Sequence, residues 1–277
     1  MLNQEQAEQW KEDGYVVVPD FFNKSEVELM RDELYRLKDE GHGRNPVTRY
    51  DGETPDDDRI NFQIIPLNTI SELFRSLPLL PKVMDSLKLL LGPNIIRFLD
   101  QIFLKPGGGK GVGTNWHTDN AYFQSPIKTE GTGLWIALQD SNLDNGTMTV
   151  IPKSHLEDPE HERDFSSDHH ITCAANIDPS KAIPVIVPAG GVVFFNFGIV
   201  HSTGDNNTNE DRAGAAFHFS TPNAIKGSSK WVEKVRADRE EMNRLVLLRG
   251  EDGGTNIEPY VEEPSLEPWQ SVLAVAN

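Results

Sequence analysis

The stretches NWHTDNAYF (115–123) and FGIVHSTGD (197–205) put His117, Asp119 and His201 in two well-separated segments, and Arg212 follows on the next. Two imidazoles and one carboxylate can hold one face of an octahedral iron(II), leaving the opposite face to a co-substrate and oxygen. Alternate side chains of a strand point to one side, so His117 and Asp119 can bite one metal together. His201 is too distant in sequence to join them except from another strand brought alongside by the fold. Arg212 comes late enough for a turn and a returning strand to bring it back to the same pocket.

The surroundings suit strand ends. The first pair follows the glycine-rich turn KPGGGKGVGT (105–114), and the second follows the apolar run GGVVFFNFGIV (190–200), opened by PAGG (188–191). Short apolar segments separated by turn formers recur at 95–105, 133–141, 148–152, 183–188, 192–197 and 215–221, as a jelly roll requires. Residues 5–14 read as a helix, 14–22 as a strand, and 23–41 as an amphipathic helix ended by Gly41, with Leu29, Leu34 and Leu37 near one stripe. A further helix spans 80–92, and 42–58 is polar and turn-rich, expected as a mobile flap. The expected fold is mainly β with flanking helices, a double-stranded β-helix (jelly-roll, cupin-like) core. It forms one domain over 1–277: N-terminal helices to about 95, the barrel at about 96–222, and a helical, acidic extension at about 223–277.

Composition narrows the function. The chain has 277 residues, 37% of them hydrophobic, enough for one sizeable core. A net charge of −17 argues against nucleic acid, whose binders need a basic patch. No apolar run reaches bilayer length, the N-terminus is polar, and SVLAVAN (271–277) is not a peroxisomal address, so a cytoplasmic location is expected. The single cysteine, Cys173, forms no intrachain disulfide and reads as a small buried hydrophobe. Oligomeric state stays open.

Four ordered segments, 6–34, 103–120, 133–155 and the His201–Arg212 stretch, make roughly residues 5–220 resemble the phytanoyl-CoA dioxygenase-like branch of the iron(II)/2-oxoglutarate-dependent oxygenases. The resemblance implies iron(II) held by His117, Asp119 and His201. It also implies that Arg212, helped by Thr203, binds the far carboxylate of 2-oxoglutarate, and that O2 is consumed. Guanidinium suits that carboxylate independently, being a bidentate donor that stays charged when buried. Gln101 and Trp135 read equally as pocket walls and as ordinary strand filling. In this branch a small residue at the Asp119 position accompanies halogenation, so the carboxylate implies hydroxylation, with succinate and CO2 released. His155 matches a structural histidine of the family. Lys153 stands where the family carries glycine, which implies a less strained turn. His218 reads as a core residue, and His161, His169 and His170 as exposed.

The substrate is less legible. In RINFQII (59–65), Arg59, Asn61 and Gln63 alternate with apolar residues, which suits either a solvated strand face or a polar wall. Trp116, Asn120 and Tyr122 flank the metal ligands. A small polar metabolite is expected, an organophosphonate such as 2-aminoethylphosphonate being the most specific reading. An acyl-CoA is disfavoured by the overall charge. A metal cupin working without 2-oxoglutarate and a non-catalytic binding protein are the competing classes.

Overall fold

The computed structural model describes residues 1–49, 53–163, 171–173, 177–226 and 245–273. Helix α1 (Gln4–Asp13) leads into strand β1 (Tyr15–Val18), and α2 (Lys24–Asp39) follows. Asn23 and Glu26 cap α2 reciprocally: the Asn23 side chain accepts from Glu26 N–H and the Glu26 carboxylate from Asn23 N–H. That carboxylate is buried and also takes the Lys82 ammonium at 2.6 Å, which ties α2 to helix α4 (Pro81–Leu91). A short helix α3 (Glu72–Ser76) lies between them in sequence.

The remaining strands are β2 (Gly43–Arg44), β3 (Phe62–Ile64), β4 (Ile95–Lys105), β5 (Thr114–His117), β6 (Gly131–Ala137), β7 (Met148–Ile151), β8 (His161–Arg163), β9 (Ile171–Cys173), β10 (Ile183–Pro184), β11 (Val192–Asn196), β12 (Val200–Thr203), β13 (Arg212–Ser220) and β14 (Val246–Arg249). The larger sheet runs β1-β11-β6-β13-β4-β3-β2, with β14 beside β4, and the smaller runs β10-β7-β12-β5. Every pairing within them is antiparallel. This is the expected double-stranded β-helix.

Strand periodicity sorts the larger sheet into two faces. Ile102, Leu104, Leu134, Ile136, Ala213, Ala215, Phe217 and Phe219 pack with residues of α1 to α4 in one apolar cluster. Trp135, Ala137, Val193, Phe195 and Ala216 face the other way and meet Met148 and Val150 of the smaller sheet. By the same alternation Arg212, Gly214 and His218 of β13 point inward. Leu34 and Leu37 are fully buried, and Leu29 packs at the edge of their cluster.

Three expectations change. Residues 246–249, inside the extension expected to be helical, form β14, with Val246 and Leu247 paired to Arg97 and Ile96 at the buried start of β4; residues 227–244 lie outside the described part. The 42–58 segment is tethered where it is described. Asn45 Nδ2 donates to Asp56 O and Arg59 O, its Oδ1 accepts from Val47 and Asn61 N–H, and Val47 and Thr48 are buried. Lys153 keeps the glycine-like backbone, at φ +67, so the turn is not relaxed. Its N–H donates to Asp13 O and its ammonium reaches Glu12 at 2.8 Å, which fastens the turn to the end of α1. His155 is buried against Lys11 O there, in the structural role expected of it.

Gly214 lets the Trp135 indole lie across β13, since a Cβ there would sit 2.2 Å from Trp135 Nε1. Gly214→Ala is expected to destabilise the chain by about 1–3 kcal/mol through overpacking, read as a lower urea midpoint. An unchanged midpoint would contradict that packing.

Candidate metal centre

β5 and β12 pair His117 directly with His201, ring centroids 4.3 Å apart. Asp119 does not share their strand geometry. β5 stops at His117, and Asp119 already has helical backbone (φ −59, ψ −32) at the head of a single turn, α5 (Asn120–Phe123). The expectation of one shared strand face is thus corrected. The turn returns the carboxylate to the histidines, and it is held by Asn120 N–H donating to Phe197 O and by Tyr122 and Phe123 N–H donating to Asp119 O.

One ligand atom from each of His117, Asp119 and His201 lies within 4.8 Å of the others. Asp119 Oδ1 is 3.9 Å from His117 Nε2 and 3.8 Å from His201 Nε2. His117 Nδ1 meets Asn115 O at 2.7 Å, and His201 Nδ1 meets Ile199 O at 3.1 Å. A carbonyl only accepts, so each Nδ1 carries the proton and each Nε2 keeps its lone pair for a metal. Burial pushes the Asp119 carboxyl up, but His218 above all, then His201 and His117, outweigh it and hold it at about 2. Two imidazole nitrogens and an ionised carboxylate fit a first-row divalent ion such as iron(II).

Beyond His201 on β12 lies a second feature that the sequence reading missed. Lys105 and Arg212 are direct cross-strand partners, both buried. The Lys105 ammonium donates to Thr203 Oγ1 at 2.7 Å and Gly204 O at 2.5 Å. Arg212 donates to Asn145 O at 3.3 Å and to Gly146 O, with its guanidinium carbon 5.7 Å from the Trp135 ring. Burial, then Arg212 alongside, push the Lys105 ammonium well below the usual lysine range. Burial lowers Arg212 only to about 10, so it stays charged at neutral pH. Among the described residues neither cation has an ion-pair carboxylate, and two adjacent buried cations held mainly by carbonyls form a seat for an anion. Lys105 shares the strand parity of Gln101, which was the available signal; its pairing with Arg212 needed the fold.

Other expected residues divide. Gln101 faces inward beside Ala216 and accepts from Gln63 Nε2 at 2.8 Å. Arg44 in turn donates to Gln63 Oε1 at 3.2 Å. Asn61 is buried and Arg59 exposed, so the 59–63 face is not uniform. Tyr122 packs edge-on against His117, ring centroids 5.9 Å apart, and Trp116 is half-buried. The Asn120 amide is engaged by Ser125 and borders a separate cleft with Thr118, Lys128 and His161, so it serves the loop rather than the barrel interior. His161 is not exposed as expected: it is half-buried, and its Nε2 accepts from Thr118 N–H at 3.1 Å, between two metal ligands. His169 and His170 lie outside the described residues. Cys173 lies on β9, backbone-paired with His161.

A jelly roll that gathers a His-Asp-His cluster and also buries a cation pair has the residues of a metal site and of an anion seat. Comparison makes the assignment particular: the profile of the family described as phytanoyl-CoA dioxygenase (PhyH) matches residues 10–214. The chain belongs to this family of iron(II)- and 2-oxoglutarate-dependent dioxygenases. It is 25% identical to the peroxisomal phytanoyl-CoA dioxygenase of Mus musculus over 261 residues, covering 87% of this chain and 76% of that protein. It is 24% identical to the ectoine dioxygenase of Stutzerimonas stutzeri (strain A1501) over 257 residues, covering 80% and 78%. Its fold matches the epimerase SnoN, solved with Fe3+, α-ketoglutarate and nogalamycin RO, at a TM-score of 0.66 and 24% identity, covering 79% of this chain and 83% of that one. No helix among the described residues is long and apolar enough to cross a membrane.

Lys105 gives a pH signature. A depressed folded pKa means that the folded chain binds fewer protons than the unfolded one. The penalty is therefore present at neutral pH and fades as pH rises toward the ordinary lysine range. Lys105→Met is expected to stabilise the ligand-free chain at neutral pH and progressively less at alkaline pH, measured by urea unfolding. A difference independent of pH would contradict the depressed ammonium.

Proposed function

We propose that this dioxygenase hydroxylates an unactivated C–H bond of a small polar metabolite, releasing succinate and CO2 from 2-oxoglutarate. His117, Asp119 and His201 hold iron(II), which supplies the activation of O2 when bound. Arg212 and Lys105 bind the far carboxylate of 2-oxoglutarate, and Thr203 orients the Lys105 ammonium toward it. Trp135 covers the Arg212 guanidinium and keeps that seat dry, which strengthens each charged contact. Tyr122 fixes the ring plane of His117. The observation that carries this reading is the position of Thr203. It lies two residues past His201 on β12 and bonds Lys105, so the cation pair opens onto the same interior as the triad.

A relay with a fixed direction supports a polar substrate. Arg44 can only donate, so Gln63 Oε1 accepts, Gln63 Nε2 donates, and Gln101 Oε1 accepts. The Gln101 NH2 is then left to donate into the barrel. A substrate group that accepts hydrogen bonds, such as a carboxylate, phosphonate or carbonyl, suits that donor. Arg59 at the exposed end of this wall and Trp116 beside His117 complete the proposed lining.

The test is succinate release over a panel of small acceptor-bearing metabolites, 2-aminoethylphosphonate and a cyclic compatible solute included, against acyl-CoAs. A small acceptor-bearing compound is expected to stimulate turnover. Gln101→Leu should then lower kcat/KM by about 10- to 100-fold, as befits one lost hydrogen bond to a charged group. Stimulation by acyl-CoAs alone would overturn the substrate class while leaving the metal site untouched.

A further inference from the structure

His218 is buried on β13, six residues past Arg212 and on the same inward parity. Its Nε2 lies 2.9 Å from Asp119 Oδ2. The other carboxylate oxygen, Oδ1, is the one facing His117 and His201. The carboxylate only accepts, so Nε2 of His218 carries the proton and donates it. The ring is fixed by Phe123, Phe195 and Phe197, at centroid distances of 5.2, 6.1 and 5.9 Å. Phe195 fits beside it because Gly133, the β6 partner of His218, has no side chain: a Cβ there would sit 2.3 Å from the Phe195 ring. Nδ1 is buried and has no hydrogen-bond partner among the described residues, so the imidazole is aimed by packing and by this one bond.

Resting on the iron-site reading above, we propose that His218 is a positioning residue that keeps Asp119 a one-oxygen ligand. With two imidazoles and one carboxylate oxygen as its protein ligands, the ion would keep its remaining positions for the co-substrate and O2. A carboxylate free to rotate can present both oxygens and close one of them. By occupying Oδ2, His218 removes that choice and also holds Oδ1 toward the histidines. Hydrogen bonds that orient metal ligands in this way are typically worth about 10- to 100-fold in metal affinity.

The probe is cobalt(II), titrated into the purified full chain and followed by visible absorption and calorimetry, with circular dichroism as a check of folding. The wild type is expected to bind one ion, and His117→Ala to lose it. His218→Leu should bind cobalt(II) about 10- to 100-fold more weakly, with an altered visible spectrum. His218→Gln, whose amide nitrogen reaches the place of Nε2, should stay near wild type, whereas His218→Asn, one methylene shorter, should follow His218→Leu. Wild-type affinity and spectrum in a folded His218→Leu would overturn the proposal. If Leu at 218 prevents folding, equal affinity of the Gln and Asn variants would overturn it instead. Wild-type binding that survives His117→Ala would overturn the iron site itself, a distinct result.

Discussion

The antiparallel register of β5 and β12 is the constraint on which the rest of the centre depends. It sets His201 opposite His117 and, across a one-residue register shift, Thr203 opposite Thr114. Strand side chains alternate, so a one-residue slip would turn the histidine and the threonine of β12 away from the barrel together. Their partners are also fixed to the scaffold: both Nδ1 atoms bond backbone carbonyls, so backbone register dictates imidazole tautomer as well as position. Asp119 is the element that register cannot supply, and a helical turn supplies it instead.

A second constraint is electrostatic. Within a chain of net charge −17, the interior of the barrel carries a lysine and an arginine with no ion-pair carboxylate among the described residues. Burying two adjacent cations opposes folding, and the carbonyls of Asn145, Gly146 and Gly204 with the Thr203 hydroxyl accept their hydrogen bonds without supplying a countercharge. The uncompensated charge suits a dianionic co-substrate. Preorganised charge in a dry site binds strongly because it need not rearrange. Stability and co-substrate affinity are therefore coupled through Lys105, whose ammonium is disfavoured by burial and by Arg212 in the empty chain and favoured beside a carboxylate.

Much of this was legible in the sequence because strand chemistry is periodic. The short apolar segments announce the jelly roll, and the quoted stretches contain the three residues that the fold clusters; the roles given to Arg212 and Thr203 rest on the family resemblance. What escaped was tertiary. Lys105 is unremarkable until β4 and β13 pair it with Arg212, and Asp119 reads as a strand residue because nothing local announces that β5 ends at His117. His161 looks like a loop histidine until its nitrogen is found on Thr118 N–H. His218 carried the inward parity of Arg212 but no signal of what it would meet. The Asn120 amide is taken up by Ser125, because amides beside a turn satisfy the turn first.

The central claim is that the triad and the cation pair form one site for iron(II) and 2-oxoglutarate. Its most direct test is the visible absorption spectrum after anaerobic addition of iron(II) and then 2-oxoglutarate to the purified chain. A weak metal-to-ligand charge-transfer band is expected, absent in His117→Ala and weakened in Arg212→Leu. No band despite demonstrated iron binding, or a band indifferent to Arg212→Leu, would contradict the joint site.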